Sequence, residues 1–274
     1  MQTNNMHHHF WFNRPGRCFV GDAVKSKKRN YKSNLPQGRF FYGERKYGGI
    51  HMSTIQAIIF DMDGTLYAFD DNEESAFASS QFGQCIRANI LSFLQKQCAL
   101  SANDAEKKYL ELQKQYAGHI SLACEKELGV SRNEYFAATW NVPAERFLQY
   151  NDSLAQLLSG LSVRAGLLTA APQVWTEKVL DFLQIRSLFG EAIFTGESDL
   201  RKPNPAAFLQ LAQYWNLEPK AILAIGDQEQ SDILPAKEIG MKTLRIAKHA
   251  QTQADFIAPD IVSALNVLKK KGMV

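Results

Sequence analysis

From Ser53 onward, short apolar runs alternate with longer stretches whose apolar residues recur at helical spacing. Parallel strands need a crossover between them, usually a helix, so the alternation predicts a parallel α/β sheet. The runs expected as strands are Ile55–Phe60, Val163–Thr169, Glu191–Thr195, Ala221–Ile225 and Lys242–Ile246. Helices are expected near Val174–Leu183, Pro205–Trp215, Ser231–Ile239 and Asp260–Leu268. The interval from Leu66 to Leu161 shows helical periodicity and no convincing strand. Within it, Cys85–Leu100 carries Ile86, Ile90, Leu91, Phe93 and Leu94 along one stripe. Ser101 reads as the N-cap of a second helix, with Asp104 in its first turn. Further helices are expected over Ile120–Leu128 and Ser131–Trp140, with Asn151–Leu161 leading back to the sheet. The expected organisation is an α/β core from residues 52–68 and 150–274, interrupted by an inserted helical domain over residues 69–149.

Composition divides the chain at a different place. Its 274 residues carry a formal charge of +3, but residues 1–51 hold ten Lys/Arg against two Asp/Glu, and residues 52–274 hold 21 against 26. The first segment mixes aromatic, basic and Gly/Pro residues at no period, so no packed core is expected there. It lacks the apolar stretch of a secretory signal and the amphipathic helix of a transit peptide. Because Met52 stands just before the first strand, residues 1–51 are expected to be a disordered or non-native extension. The other reading is a basic arm that touches nucleic acid or an anionic membrane. No apolar run reaches the length of a membrane span, since Leu154–Val174 is broken by Arg164. Cys18, Cys85, Cys98 and Cys124 are widely spaced without a C-x-x-C pair, which suits a reducing cytoplasm better than a disulfide framework.

The chemistry-bearing residues gather at the ends of the expected strands. The first strand ends Asp61-Met62-Asp63-Gly64-Thr65. In an open parallel sheet the carboxyl ends of the strands face the functional crevice, so both carboxylates address it. Alternation would turn them apart, but Gly64 lets the chain leave the strand at once. The second strand ends in Thr169-Ala170, offering a hydroxyl and backbone N–H groups where a helix begins, which suits a phosphate. Lys202 precedes Pro203 and Pro205, and the fourth strand ends Gly226-Asp227 with Asp232 five residues on. Asp61, Asp63, Asp227 and Asp232 together would make a hard oxygen site of the kind Mg²⁺ prefers.

In this order, D-M-D-G-T, a strand-end Thr, K-P-x-P and G-D-x-x-x-x-D resemble the four signature motifs of the haloacid dehalogenase superfamily over residues 53–274. The resemblance implies a Rossmann-like three-layer sandwich with strand order 5-4-1-2-3, and the place of the insertion is similar to the subfamily with a helical cap. The start Phe60–Tyr67 and the segment Gln115–Ile120 look most like the pyrimidine 5′-nucleotidase branch. The implied activity is Mg²⁺-dependent hydrolysis of a small phosphorylated metabolite, such as a nucleoside monophosphate. In that scheme Asp61 is the nucleophile that forms an aspartyl-phosphate, and Asp63 is acid and then base. Asp61, the main-chain carbonyl of Asp63, and Asp227 hold Mg²⁺. Thr169 and the Ala170 N–H bind phosphoryl oxygens, Lys202 balances charge, and Asp232 orients Lys202 or a metal-bound water. Tyr116, His119 and Ser121 are the candidate specificity residues of the cap. Two departures stand out: Ala170 replaces the family's usual Asn, and Ser121 lies where the nucleotidase branch carries an Arg. The alternatives are a phosphomutase of the β-phosphoglucomutase kind and a nucleic-acid-binding protein that uses the basic arm.

Overall fold

A computed structural model describes residues 55–69, 77–249 and 251–274. The expectations for residues 1–51, including the basic arm and Cys18, lie outside the described residues. In chain order the elements are β1 (Ala57–Phe60), α1 (Gln81–Cys98), α2 (Ala102–Gln115), α3 (Ile120–Leu128), α4 (Arg132–Thr139), α5 (Asp152–Ser159), β2 (Arg164–Leu168), α6 (Gln173–Phe182), α7 (Arg186–Phe189) and β3 (Ile193–Phe194). They continue with α8 (Pro205–Trp215), β4 (Ile222–Gly226), a π-helical turn (Glu229–Ile233), α9 (Leu234–Glu238), β5 (Lys242–Ile246), β6 (Phe256–Ala258) and α10 (Ile261–Lys270).

All neighbouring strands pair in parallel, in the order β3-β2-β1-β4-β5-β6. The expected order 5-4-1-2-3 is present within it, and the expected count of five strands is corrected to six. Phe256–Ala258 escaped the sequence reading because three residues after a polar stretch show no period. It takes the edge beside β5.

The central strand β1 is buried along its whole length, as a parallel strand covered on both faces should be. Alternation then sorts its side chains. Ile58 and Phe60 join Leu167, Leu223 and Ile225 under α5, α6, α7 and α10, while Ala57 and Ile59 join Ile222 and Ala224 under α8 and α9. This is the expected three-layer α/β sandwich. In β2, Gly166 leaves room for an indole: a Cβ there would lie 2.6 Å from Trp215 Cζ2.

Helices α1 to α4, and then α5, lie between β1 and β2. Helix α1 begins four residues before the expected Cys85, because Ser80 caps it by accepting from the Gly83 N–H at 2.9 Å. Ser101 caps α2 as expected, accepting from the Asp104 N–H at 3.2 Å. The helix expected over Ser231–Ile239 is corrected to the π-helical turn followed by the short α9. The apolar faces of α1 to α4 belong to the same cluster as the Phe60 face of the sheet, and Phe82 of α1 stacks on Trp175 of α6 at 4.2 Å between ring centroids.

Gly166→Ala is expected to destabilise the fold by about 1–3 kcal/mol, the usual penalty for overpacking a filled core. Urea unfolding measures it. A variant of wild-type stability would show that Trp215 does not confine β2.

Candidate active site

The ends of β1, β2 and β4 and the loop after β3 deliver their polar residues to one place. Asp61 leaves β1 with its N–H still bonded to the Ile225 carbonyl of β4 at 2.9 Å. Its Oδ2 accepts from the Thr65 hydroxyl at 2.8 Å, and its Oδ1 accepts from the Lys202 ammonium. That ammonium also donates to Asp232 Oδ1 at 2.6 Å. Asp232 Oδ2 accepts from the Gln228 N–H at 2.9 Å. Lys202, Asp61 and Asp232 are all buried. Asparagine 204 and Pro205 start α8 just beyond, with the Asn204 side chain accepting from the Ala206 N–H, so the lysine is carried on a short, anchored loop.

Two glycines make the crowding possible. Gly64 has φ 81° and faces Asp227 so closely that a Cβ would stand 2.6 Å from Asp227 Oδ2. At Gly226 a Cβ would stand 2.4 Å from the Asp232 Cβ. Carboxylate oxygens of Asp61, Asp227 and Asp232 thereby come within 4.8 Å of one another. Asp227 Oδ1 is buried with no hydrogen-bond partner.

The Asp63 carboxyl turns away from that trio. Its Oδ1 accepts from the Tyr67 hydroxyl and from Trp175 Nε1, the latter at 3.0 Å, and its Oδ2 lies 3.4 Å from the Thr169 hydroxyl. Thr169 also accepts from the Ala171 N–H at 3.0 Å, while Ala170 is exposed at the mouth of this loop. The expected residues therefore form two bonded groups, Asp61 with Lys202 and Asp232, and Asp63 with Thr169, while Asp227 adjoins the first.

Charge is unbalanced in this cluster. Burial, then the charges of Asp61 and Asp232, push the Asp227 carboxyl up to about 8. Burial also raises Asp232 and lifts Asp63 to about 6, with the Tyr67 hydrogen bond opposing the shift at Asp63. Burial alone would pull the Lys202 ammonium down, but Asp232 and Asp61 outweigh it and raise its pKa.

The three specificity candidates are less united. The Tyr116 hydroxyl donates to Glu127 at 2.6 Å, and Ser121 is buried in α3. His119 stands at the start of α3, its pKa lowered by burial and then by the charges of Arg201 and Arg132.

A family model for haloacid dehalogenase-like hydrolases matches residues 55–240. The chain belongs to this family. As a haloacid dehalogenase-like hydrolase it is an enzyme, and it is similar to the glyceraldehyde 3-phosphate phosphatases of Methanopyrus kandleri and Pyrococcus furiosus. The first is 27% identical over 71% of this chain and 84% of that protein; the second is 24% identical over 81% and 96%. In fold it is similar to the crystal structure of a haloacid dehalogenase-type phosphatase from Thermococcus onnurineus, with a TM-score of 0.55 at 19% identity, covering 78% of this chain and 98% of that one.

Sequence reasoning missed three residues of this hydrolase site. Tyr67 was in view, immediately after the first motif, but nothing in the pattern aimed its hydroxyl at Asp63. Trp175 read only as an apolar position of a helix. Arg132, first residue of α4, is buried and donates to the Gly196 carbonyl at 2.8 Å and to Asp199 at 3.3 Å, tying the inserted helices to the loop after β3. Gly196 in turn donates to the Ala171 carbonyl at 2.8 Å, and a Cβ on it would lie 2.0 Å from the Ala170 carbonyl oxygen.

Asp227→Asn removes an ionisable group from a buried acidic trio. In EDTA the variant is expected to melt above the wild type, with the difference widening as pH rises from the ordinary carboxylate range to about 8 and levelling off beyond it. The sign follows from linkage: the folded wild type holds this proton more tightly than the unfolded chain does, so it loses stability as rising pH strips the proton. Thermal melts at several pH values measure this, and a variant melting lower than the wild type at alkaline pH would contradict it.

Proposed function

We propose that the protein is a Mg²⁺-dependent phosphomonoesterase that hydrolyses a small phosphorylated metabolite through an aspartyl-phosphate on Asp61. The observation that carries this reading is the second carboxyl, Asp63, held beside Thr169 and apart from the acidic trio. A departing halide needs no proton, whereas an alkoxide does, so a carboxyl in that position suits phosphoester cleavage. The similarity to glyceraldehyde 3-phosphate phosphatases supports the same reading and favours hydrolysis over the phosphomutase alternative.

Asp61 attacks phosphorus, with Lys202 holding its carboxylate in place and balancing the charge that develops on the phosphoryl oxygens. Thr169 and the Ala170 N–H receive those oxygens. Asp63 gives its proton to the leaving alkoxide, then takes one from the water that attacks the aspartyl-phosphate, restoring both carboxyls. Asp232 orients Lys202, to which it is bonded. Asp61, Asp227 and the main-chain carbonyl of Asp63 would hold Mg²⁺; the close carboxylate oxygens and the unpartnered Asp227 Oδ1 suit a hard cation. When bound, Mg²⁺ offsets the repulsion between carboxylate nucleophile and phosphate dianion.

Helices α1 to α4, within residues 69–149, are proposed as the cap over this core, with His119, which senses the charge of Arg201, as a candidate specificity residue. For the substrate, a triose phosphate stands ahead of a nucleoside monophosphate. The nucleotidase reading rests on the Phe60–Tyr67 start and the Gln115–Ile120 segment; in the latter the Tyr116 hydroxyl is bonded to Glu127.

A panel of phosphomonoesters assayed with Mg²⁺ and with EDTA tests the proposal. Metal-dependent phosphate release without a bisphosphate activator is expected, and turnover only with the activator would give the mutase reading the advantage. Asp61→Asn is expected to abolish turnover with the fold intact. Asp63→Asn should slow hydrolysis of alkyl esters by about 10²–10⁴-fold, the usual worth of a positioned acid, while still forming an acid-trappable aspartyl-phosphate. Unimpaired turnover in Asp61→Asn would sink the nucleophile assignment.

A further inference from the structure

We propose that Tyr67 and Trp175 are positioning residues that select which oxygen of Asp63 serves the leaving group. The inference rests on the phosphomonoesterase reading above. The argument is one of donors and acceptors. The Trp175 indole N–H can only donate, and it points at Asp63 Oδ1, at 3.0 Å, and at the Tyr67 hydroxyl oxygen, at 3.3 Å. With its oxygen accepting from the indole, the Tyr67 hydroxyl directs its own proton to the same Asp63 Oδ1. That oxygen then receives two donors and has no room for a proton of its own. The acidic proton of Asp63 is left to Oδ2, the oxygen on the Thr169 side, where the phosphoryl group and its leaving oxygen are received.

The clamp is rigid because of what stands behind it. Trp175 is fully buried, stacked on Phe82 of α1 with centroids 4.2 Å apart and meeting Phe147 edge-on at 6.3 Å. Tyr67 meets Phe69 edge-on at 5.9 Å, and Phe69 stacks on Phe82 at 6.3 Å. Phe82 of α1 thus backs Trp175 directly and Tyr67 through Phe69, so the orientation of the acid is set partly by the helices between β1 and β2. The hydroxyl of Tyr67 is the informative group: phenylalanine would fill the same aromatic slot, so packing alone gives no reason for it.

The test uses the dependence on leaving group. Glyceraldehyde 3-phosphate releases a poor alkoxide that needs the proton, whereas 4-nitrophenyl phosphate releases a stable phenolate that hardly does. In Tyr67→Phe, kcat/KM for the alkyl ester is expected to fall about tenfold or more relative to that for 4-nitrophenyl phosphate, a fraction of the loss on deleting the acid itself. Trp175→Phe, which keeps a ring against Phe82 and removes the N–H, should shift the ratio in the same direction. In an Asp63→Asn background neither change should move the ratio further, since the group being positioned is gone. Equal losses on both substrates in both variants would mark a purely structural role and overturn the proposal. So would an undiminished effect in the Asp63→Asn background. A wild-type enzyme inactive on every phosphomonoester would instead remove the phosphomonoesterase reading, and the positioning role with it.

Discussion

One ammonium decides whether the acids at the strand ends can share a site. Two carboxylates about 4 Å apart repel by about 4 kcal/mol at an effective dielectric constant of about 20. Asp61, Asp227 and Asp232 bring carboxyl oxygens within 4.8 Å of one another, and Lys202 bonds directly to two of the three. One ammonium cannot balance three ionised carboxyls, so one of them keeps its proton. That one is Asp227, the acid Lys202 does not bond, whose carboxyl has an unpartnered oxygen and a pKa raised further than that of Asp232. The rest of the site is arranged around this deficit: Gly64 and Gly226 allow the approach, and the anchored loop ahead of α8 holds the lysine in place.

The sheet sets where this happens, and the aromatic cluster sets how it is oriented. Parallel order places three strand ends side by side, so residues far apart in sequence meet without any long excursion. The insertion contributes packing, since Phe82 supports the indole that bonds to Asp63. The apolar core and the polar site thus meet along a boundary of amphipathic rings, Tyr67 and Trp175, each with an apolar body in the cluster and a donor at the carboxyl.

What could be read from the sequence was what local chemistry encodes. Asp61 to Gly64, Thr169 and Asp227 sit where a strand ends, and Lys202 with its prolines and Asp232 sit where a helix is about to start or has just begun, so type and position point the same way. Strands β1 and β5 and helix α8 carry strong periods and fell within a residue or two of expectation. Tyr67 and Trp175 were illegible because their roles depend on a tertiary approach over more than a hundred residues of chain. Arg132 offered no sign either, since a basic residue opening a helix is ordinarily solvated. Strand β6 exists because β5 offers it an edge, and the early start of α1 depends on Ser80, one residue ahead of a helix whose apolar stripe was read from further along.

Gly196 ties three segments together within one residue. Its N–H holds the loop after β2, its carbonyl receives Arg132 from α4, and the space its missing Cβ leaves is filled by the Ala170 carbonyl. Any larger side chain there would displace the loop that carries Thr169 and loosen the seat of the inserted helices together. The joint is closed to larger side chains, so the seat of α4 and the path of the loop that carries Thr169 are fixed by one and the same residue.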